Sequence, residues 1–272
     1  MMMHLLEIVD LNIEFCDTLP PTRVVKDLSL VMEEGEILGI VGESGSGKTQ
    51  TALSILGLLK HHADISSGKI LYRGENINGC GEKRLRQIRG KEIGMIFQEP
   101  MTSLNPLLPV GRQMEEGLIL HTQDDRQTRR RKVLDMMREV ELPDPEELYG
   151  KYPHQLSGGM RQRVMIAAAL VTEPALLIAD EPTTALDVTI QAQILKLLKK
   201  INRDHHTAIL FISHDLGVVR NLCQRVIVMN QGEKVEEGCV GQILEHPAEE
   251  YTRQLLAAAP DRRSSLRRRR KL

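Results

Sequence analysis

Eight consecutive residues, Gly42-Glu43-Ser44-Gly45-Ser46-Gly47-Lys48-Thr49, carry the densest chemistry in the chain. They fit the pattern GxxxxGK[ST], with an apolar run from Ile37 to Val41 before them and a helical pattern after. Glycines let a backbone wrap an anion, so that successive N–H groups and a helix N-terminus point at phosphate. Lys48 adds a point charge suited to β- and γ-phosphates, and Thr49 a hydroxyl suited to Mg²⁺. A second cluster is Leu176-Leu177-Ile178-Ala179-Asp180-Glu181, an apolar strand ending in two acids. Asp180 suits Mg²⁺ held through water, and Glu181 can orient or deprotonate an attacking water. The two clusters together predict a nucleotide hydrolase without saying which kind.

A third cluster narrows the choice. Leu156-Ser157-Gly158-Gly159-Met160-Arg161-Gln162-Arg163 opens an apolar helix running from Val164 to Val171, with Ser157 as a good N-cap. Two glycines in a first helical turn each cost about 1 kcal/mol relative to alanine. They make sense where a backbone must approach a phosphate closely, because a helix start carries about half a positive charge. This segment resembles the LSGGQ signature of the ABC (ATP-binding cassette) family, with methionine at position 160 in place of glutamine.

The resemblance covers nearly the whole chain and implies more. In that family the signature, here Ser157, Gly158 and Gly159, faces nucleotide held by the opposite subunit, so two ATPase subunits sandwich ATP. Gln98, after the run Ile93 to Phe97, resembles the Q-loop glutamine that contacts Mg²⁺ and water. Ala185-Leu186-Asp187 resembles the D-loop, although Asp187 is an equally good helix cap. His214 resembles the switch histidine that reaches the γ-phosphate. Phe15 resembles the aromatic that stacks on adenine, yet it continues the Leu11-Ile13 alternation and is also a core candidate.

Within the family, Gln98 to Pro106, Ala179 to Asp187 and Glu245 to Pro260 look like the importer ATPases for dipeptides, oligopeptides or nickel. The third segment departs from the pattern P-x-H-P-Y-T, since Glu249 and Glu250 stand where His-Pro is usual before Tyr251 and Thr252. Many members carry a cysteine cluster further on. Cys16, Cys80, Cys223 and Cys239 are scattered, so no iron–sulfur cluster is expected. The resemblance implies integral membrane permease subunits, a second ATPase subunit and, indirectly, an extracytoplasmic solute-binding protein. The alternative is a soluble ABC ATPase in DNA repair or translation, which usually has paired cassettes, a coiled coil or a basic body.

These groups need a scaffold of alternating strands and helices. Ile37 to Val41, Ala175 to Ala179 and Ala208 to Ile212 read as buried strands, with helices around Ala52 to Leu59 and Ile190 to Asn202. A mostly parallel α/β sheet follows, binding ligands at the carboxyl ends of its strands. Leu11 to Phe15 and Leu28 to Met32 alternate as half-buried strands, an antiparallel β portion before the phosphate loop. Residues 98–172 read as an inserted helical subdomain, with charged helical segments such as Arg126 to Val140 broken by prolines. Val226 to Glu236 reads as a closing hairpin. One ATPase domain is expected over 1–260, with the family's C-terminal segment at 241–260 and a basic tail at 261–272.

Composition agrees with a globule, at 41% hydrophobic and 27% charged residues in 272. The net charge of −1 hides a basic tail, without which 29 basic face 36 acidic residues. An acidic body argues against nucleic acid as a partner. Met1 to Glu7 lacks the features of a signal peptide, and no run of 18 apolar residues predicts a membrane span. The expected place is the cytoplasmic face of a membrane, reached through partners.

Overall fold

The computed structural model describes residues 4–17, 19–98, 103–184 and 186–258. Two sheets form the frame. The smaller orders as β2-β1-β4-β5, all antiparallel, from β1 (Leu6–Phe15), β2 (Thr22–Met32), β4 (Ala63–Tyr72) and β5 (Glu75–Asn76). The larger orders as β10-β9-β3-β8-β7-β6, from β3 (Ile37–Val41), β6 (Ile93–Ile96), β7 (Leu176–Asp180), β8 (Ala208–Ser213), β9 (Arg225–Asn230) and β10 (Glu233–Cys239). Its pairs are parallel except β9 with β10, the closing hairpin expected from the sequence.

β3, β7 and β8 are buried along their whole length, which is why they read as unbroken apolar runs. One core cluster lies between the smaller sheet, α1 (Lys48–Ile55) and one face of the larger sheet. The other packs the opposite face against α6 (Gly158–Leu170), α7 (Val188–His205) and α8 (Leu216–Leu222). The short α2 (Glu82–Ile88) precedes β6, and between β6 and β7 lie α3 (Val110–His121), α4 (Arg126–Glu139), α5 (Pro145–Leu148) and α6, the helical insertion. The final helices are α9 (Val240–Glu245) and α10 (Glu250–Ala258). Residues 259–272, including the basic tail, lie outside the described residues.

Two local expectations need correction. The helix after the phosphate loop stops at Ile55 rather than reaching Leu59. Gly57 (φ +59°) donates its N–H to Ser54 O and Leu58 to Leu53 O, the paired closure of a glycine-ended helix. In β1, Asn12 does not face solvent as strict alternation implied. It is buried at 4% exposure, and its amide donates to Asp27 Oδ1 at 2.8 Å, because β1 carries register irregularities on both sides.

Candidate functional site

Four parallel strands end in one row, and their register explains what meets there. Val41 pairs with Ser213, Asp180 with Ile212 and Ile96 with Ala179. The residues just beyond these ends are Gly42, His214, Glu181 and Gln98, so the phosphate loop and three polar side chains share one edge.

The loop is shaped by contact. A Cβ on Gly42 would lie 2.1 Å from the Met229 carbonyl oxygen, so only glycine fits there. Gly47 adopts φ +96°, and a Cβ there would come within 2.5 Å of Val24 O. Lys48 is 4% exposed and opens α1, with its ammonium donating to Gly42 O (2.8 Å), Glu43 O (2.7 Å) and Ser46 Oγ (3.1 Å). Burial lowers the Lys48 pKa, resisted by the carboxylates of Glu181, Asp180 and Glu43. Ser44 and Gly45 are exposed on the outer turn. Glu43, also exposed, donates its N–H to the Tyr251 hydroxyl at 3.2 Å.

Asp180 ends β7 at 2% exposure and accepts a hydrogen bond from Thr49 Oγ1 at 3.3 Å. Burial pushes its carboxyl up to about 6, aided by Glu181 and countered by Thr49 and Lys48. A buried carboxylate beside a hydroxyl is a hard oxygen donor set of the kind Mg²⁺ prefers, and a divalent cation would offset the cost of burying that charge.

Glu181 turns the chain with φ +45°, an uncommon value for a non-glycine residue. Its N–H donates to Ile212 O and its carbonyl accepts from Thr184 N, so the turn is fixed from both sides. One carboxylate oxygen, Oε2, takes three contacts: Gln98 Nε2 at 3.1 Å, Thr184 Oγ1 at 2.8 Å and His214 Nδ1 at 3.2 Å. This arrangement leaves Oε1 clear of all three. Thr184 lies within the segment Ala179 to Asp187 but drew no role from sequence; its spacing of three from Glu181 within one turn was the available signal.

Ser157, Gly158 and Gly159 form no hydrogen bond with the phosphate loop among the described residues. Ser157 caps α6, accepting from Met160 N at 3.3 Å. Gly158 is exposed, and a Cβ there would meet none of the described residues within 4 Å. Gly159 differs, since its Cβ would sit 3.2 Å from Ile190 Cγ2 on α7, so packing explains this glycine. Asp187 caps α7 through bonds to Thr189 and Ile190 N–H, both 2.9 Å, while Ala185 lies outside the described residues. Phe15 is partly buried beside His62, their ring centroids 5.2 Å apart, so it is not a fully buried core residue.

The ABC transporter family profile matches residues 25–184. A probable peptide ABC transporter ATP-binding protein of Sinorhizobium fredii is 50% identical over 260 residues, covering 95% of this chain and 78% of that protein. The dipeptide transport ATP-binding protein DppD of Escherichia coli is 45% identical, covering 95% and 79%. The oligopeptide transport ATP-binding protein OppD of Bacillus subtilis is 47% identical, covering 96% and 74%. Among solved structures, a dimeric ATP-binding cassette in a post-hydrolysis state with ADP and phosphate superposes with a TM-score of 0.77 at 30% identity, over 86% of this chain and 98% of that one.

Proposed function

The chain belongs to the ABC transporter family as an ATP-hydrolysing importer subunit, and from that premise we propose that it powers uptake of short peptides through a pair of membrane permease subunits. The observation that carries the mechanism is the convergence of Gln98, Thr184 and His214 on one oxygen of Glu181. With Oε2 held, Oε1 is the oxygen that takes a proton from the attacking water. Gly42 to Thr49 binds the phosphates of ATP, with Lys48 countering their charge. Thr49, Asp180 and Gln98 would hold Mg²⁺, which when bound supplies positive charge against the β- and γ-phosphates. His214 steadies Glu181 and reaches the γ-phosphate, and Phe15 receives the adenine ring.

The exposed start of α6 supports a site completed by a second cassette, identical or related, whose Ser157, Gly158 and Gly159 face this chain's nucleotide. No helix among the described residues is long and apolar enough to cross a membrane. Contact with the membrane, on its cytoplasmic face, therefore runs through the permease subunits, docked on the helical insertion. A solute-binding protein on the other side delivers cargo. Relatives named for peptide, dipeptide and oligopeptide transport favour peptides over nickel complexes, and over the alternative of DNA repair or translation. We expect copurification with two membrane proteins, and ATPase activity in proteoliposomes that rises with peptide-loaded binding protein. ATP hydrolysis that ignores every membrane partner and responds to nucleic acid would overturn this reading.

A further inference from the structure

The sequence distance between Glu43 and Tyr251 is 208 residues, yet the Glu43 N–H donates to the Tyr251 hydroxyl at 3.2 Å. This contact joins the phosphate loop to the C-terminal helix α10. Glu43 is held from both ends, because its carbonyl accepts from the Lys48 ammonium at 2.7 Å and from Ser46 N at 3.2 Å. The deep residues Gly42 and Gly47 are wedged against Met229 and Val24. Glu43, Ser44 and Gly45 are exposed, so packing does not fix the outer turn. The tyrosine supplies that turn with an anchor from another part of the fold.

The anchor is itself seated. The Glu236 carboxylate on β10 accepts N–H bonds from Ala248 (2.8 Å) and Glu249 (3.3 Å), tying down the approach to α10. Arg253 donates to the Pro247 and Ala248 carbonyls, both at 3.0 Å, and to Glu250 at 2.9 Å. Thr252 is fully buried, and Tyr251, Leu255 and Leu256 pack on the main core cluster. Burial raises the Tyr251 pKa, so its hydroxyl stays protonated through the neutral range. A continuous set of contacts therefore runs from β10 through Glu236, α10, Tyr251 and Glu43 to the ammonium of Lys48.

We propose that Tyr251 is a positioning residue of the ATP site, its hydroxyl coupling the seating of the C-terminal helix to the placement of Glu43 and Lys48. The inference rests on the reading of Gly42 to Thr49 as the phosphate site. It makes β10 and α10 a lever on nucleotide affinity, acting through one hydrogen bond rather than through the catalytic Glu181.

Tyr251→Phe keeps the ring and removes only the hydroxyl, so it tests the bond. Titration calorimetry with Mg-ATP should show affinity about three- to tenfold weaker, the range for loss of one neutral hydrogen bond. KM for ATP should rise by at least as large a factor as any fall in kcat. The melting temperature without nucleotide should stay within about 2 °C of wild type, since the ring packing survives. Glu236→Ala supplies the second arm, or Glu236→Gln should alanine fail to fold. It should weaken ATP in the wild-type background and add less than about twofold in Tyr251→Phe, because both act through one link. Tyr251→Phe affinity within about 1.5-fold of wild type overturns the proposal, as do fully additive effects of the two substitutions. Wild-type protein that binds no Mg-ATP sinks the phosphate-site reading and this proposal with it. Binding that depends on Lys48 but ignores Tyr251 sinks the proposal alone.

Discussion

The phosphate loop and the start of α6 are both glycine-rich turns that open a helix, and the chain treats them in opposite ways. At the loop, Gly42 and Gly47 are wedged against Met229 and Val24, and the Lys48 ammonium has three oxygen partners. At α6, Ser157 and Gly158 are exposed, and none of the described residues lies within 4 Å of where a Gly158 side chain would begin. Each glycine in a helix interior costs about 1 kcal/mol relative to alanine. At Gly159 the Ile190 side chain accounts for that cost; at Gly158 no contact among the described residues does. The same physics, backbone donors at a helix N-terminus, is finished within one chain at the loop and left open at α6. The proposed nucleotide site between two cassettes would account for both halves.

The largest expected effect separates chemistry from binding. Glu181→Gln should retain Mg-ATP affinity within about threefold while turnover drops about 10²–10⁴-fold, the usual worth of a general base. It should also trap a dimer in ATP, read by size-exclusion chromatography. Multiple-turnover activity within about threefold of wild type would remove Glu181 from the base role. Next comes the loop itself. Lys48→Ala removes a buried cation hydrogen-bonded into the loop, and calorimetry should show Mg-ATP affinity about 10- to 100-fold weaker, matching about 1.5–3 kcal/mol for bonds to a charged group. Unchanged affinity would contradict the phosphate-loop assignment.

The open turn makes a different prediction. Gly158→Asp adds a carboxylate where a monomer has free space, so ATP binding to one chain should stay within about twofold of wild type. In a two-chain site the carboxylate would meet the γ-phosphate, and repulsion in a partly dehydrated interface is worth several kcal/mol, about 4 at 4 Å separation. Dimerisation in ATP should fail and hydrolysis should drop more than about tenfold. Gly158→Ala and Gly159→Ala sharpen the contrast by thermal melting, because only the second crowds Ile190. The first should hold or raise the melting temperature and the second lower it. Normal dimerisation of Gly158→Asp would break the comparison.

Much of this was legible in sequence for a physical reason: local motifs carry local chemistry. The phosphate-loop pattern, the acids ending β7 and the caps Ser157 and Asp187 are recognisable from neighbours within a few residues and stand at the strand and helix ends the spacing implied, although Met229, Val24 and Tyr251 shape the loop from far away. What the sequence hid depends on distant contacts. The strand β4 passed unnoticed because Ser66, Ser67 and Gly68 interrupt its alternation, and it is defined by pairing with β1. Asn12 is buried because Asp27 meets its amide across the sheet. The convergence on Glu181 follows from strand register, which no single segment encodes. Tyr251 was visible only as part of a C-terminal pattern, since its partner lies in the phosphate loop.

The smallest expected effect concerns Phe15, where sequence left two readings and the structure gives grounds to choose. Phe15 pairs with Thr22 on β2 and Ala63 on β4, at the end of β1. Two residues beyond Thr22, the Val24 carbonyl packs on Gly47, so this end of the smaller sheet lies beside the phosphate loop. The ring is partly buried, packed at the margin of the core cluster and tilted against His62. A core phenylalanine replaced by alanine would cost about 3–5 kcal/mol of stability, whereas a partly buried ring at the margin of the core costs less. A stacking contact with a base is worth about 0.5–1.5 kcal/mol. Phe15→Ala should therefore weaken ATP about two- to tenfold while lowering the melting temperature only slightly, and Phe15→Tyr should restore affinity by keeping the π-face. The loss should appear equally for ATP and ADP, because the contact is to the base and not to the phosphates. Lys48→Ala should instead penalise ATP more than ADP. A large fall in melting temperature with unchanged affinity would return Phe15 to the core and leave adenine to be held by other residues.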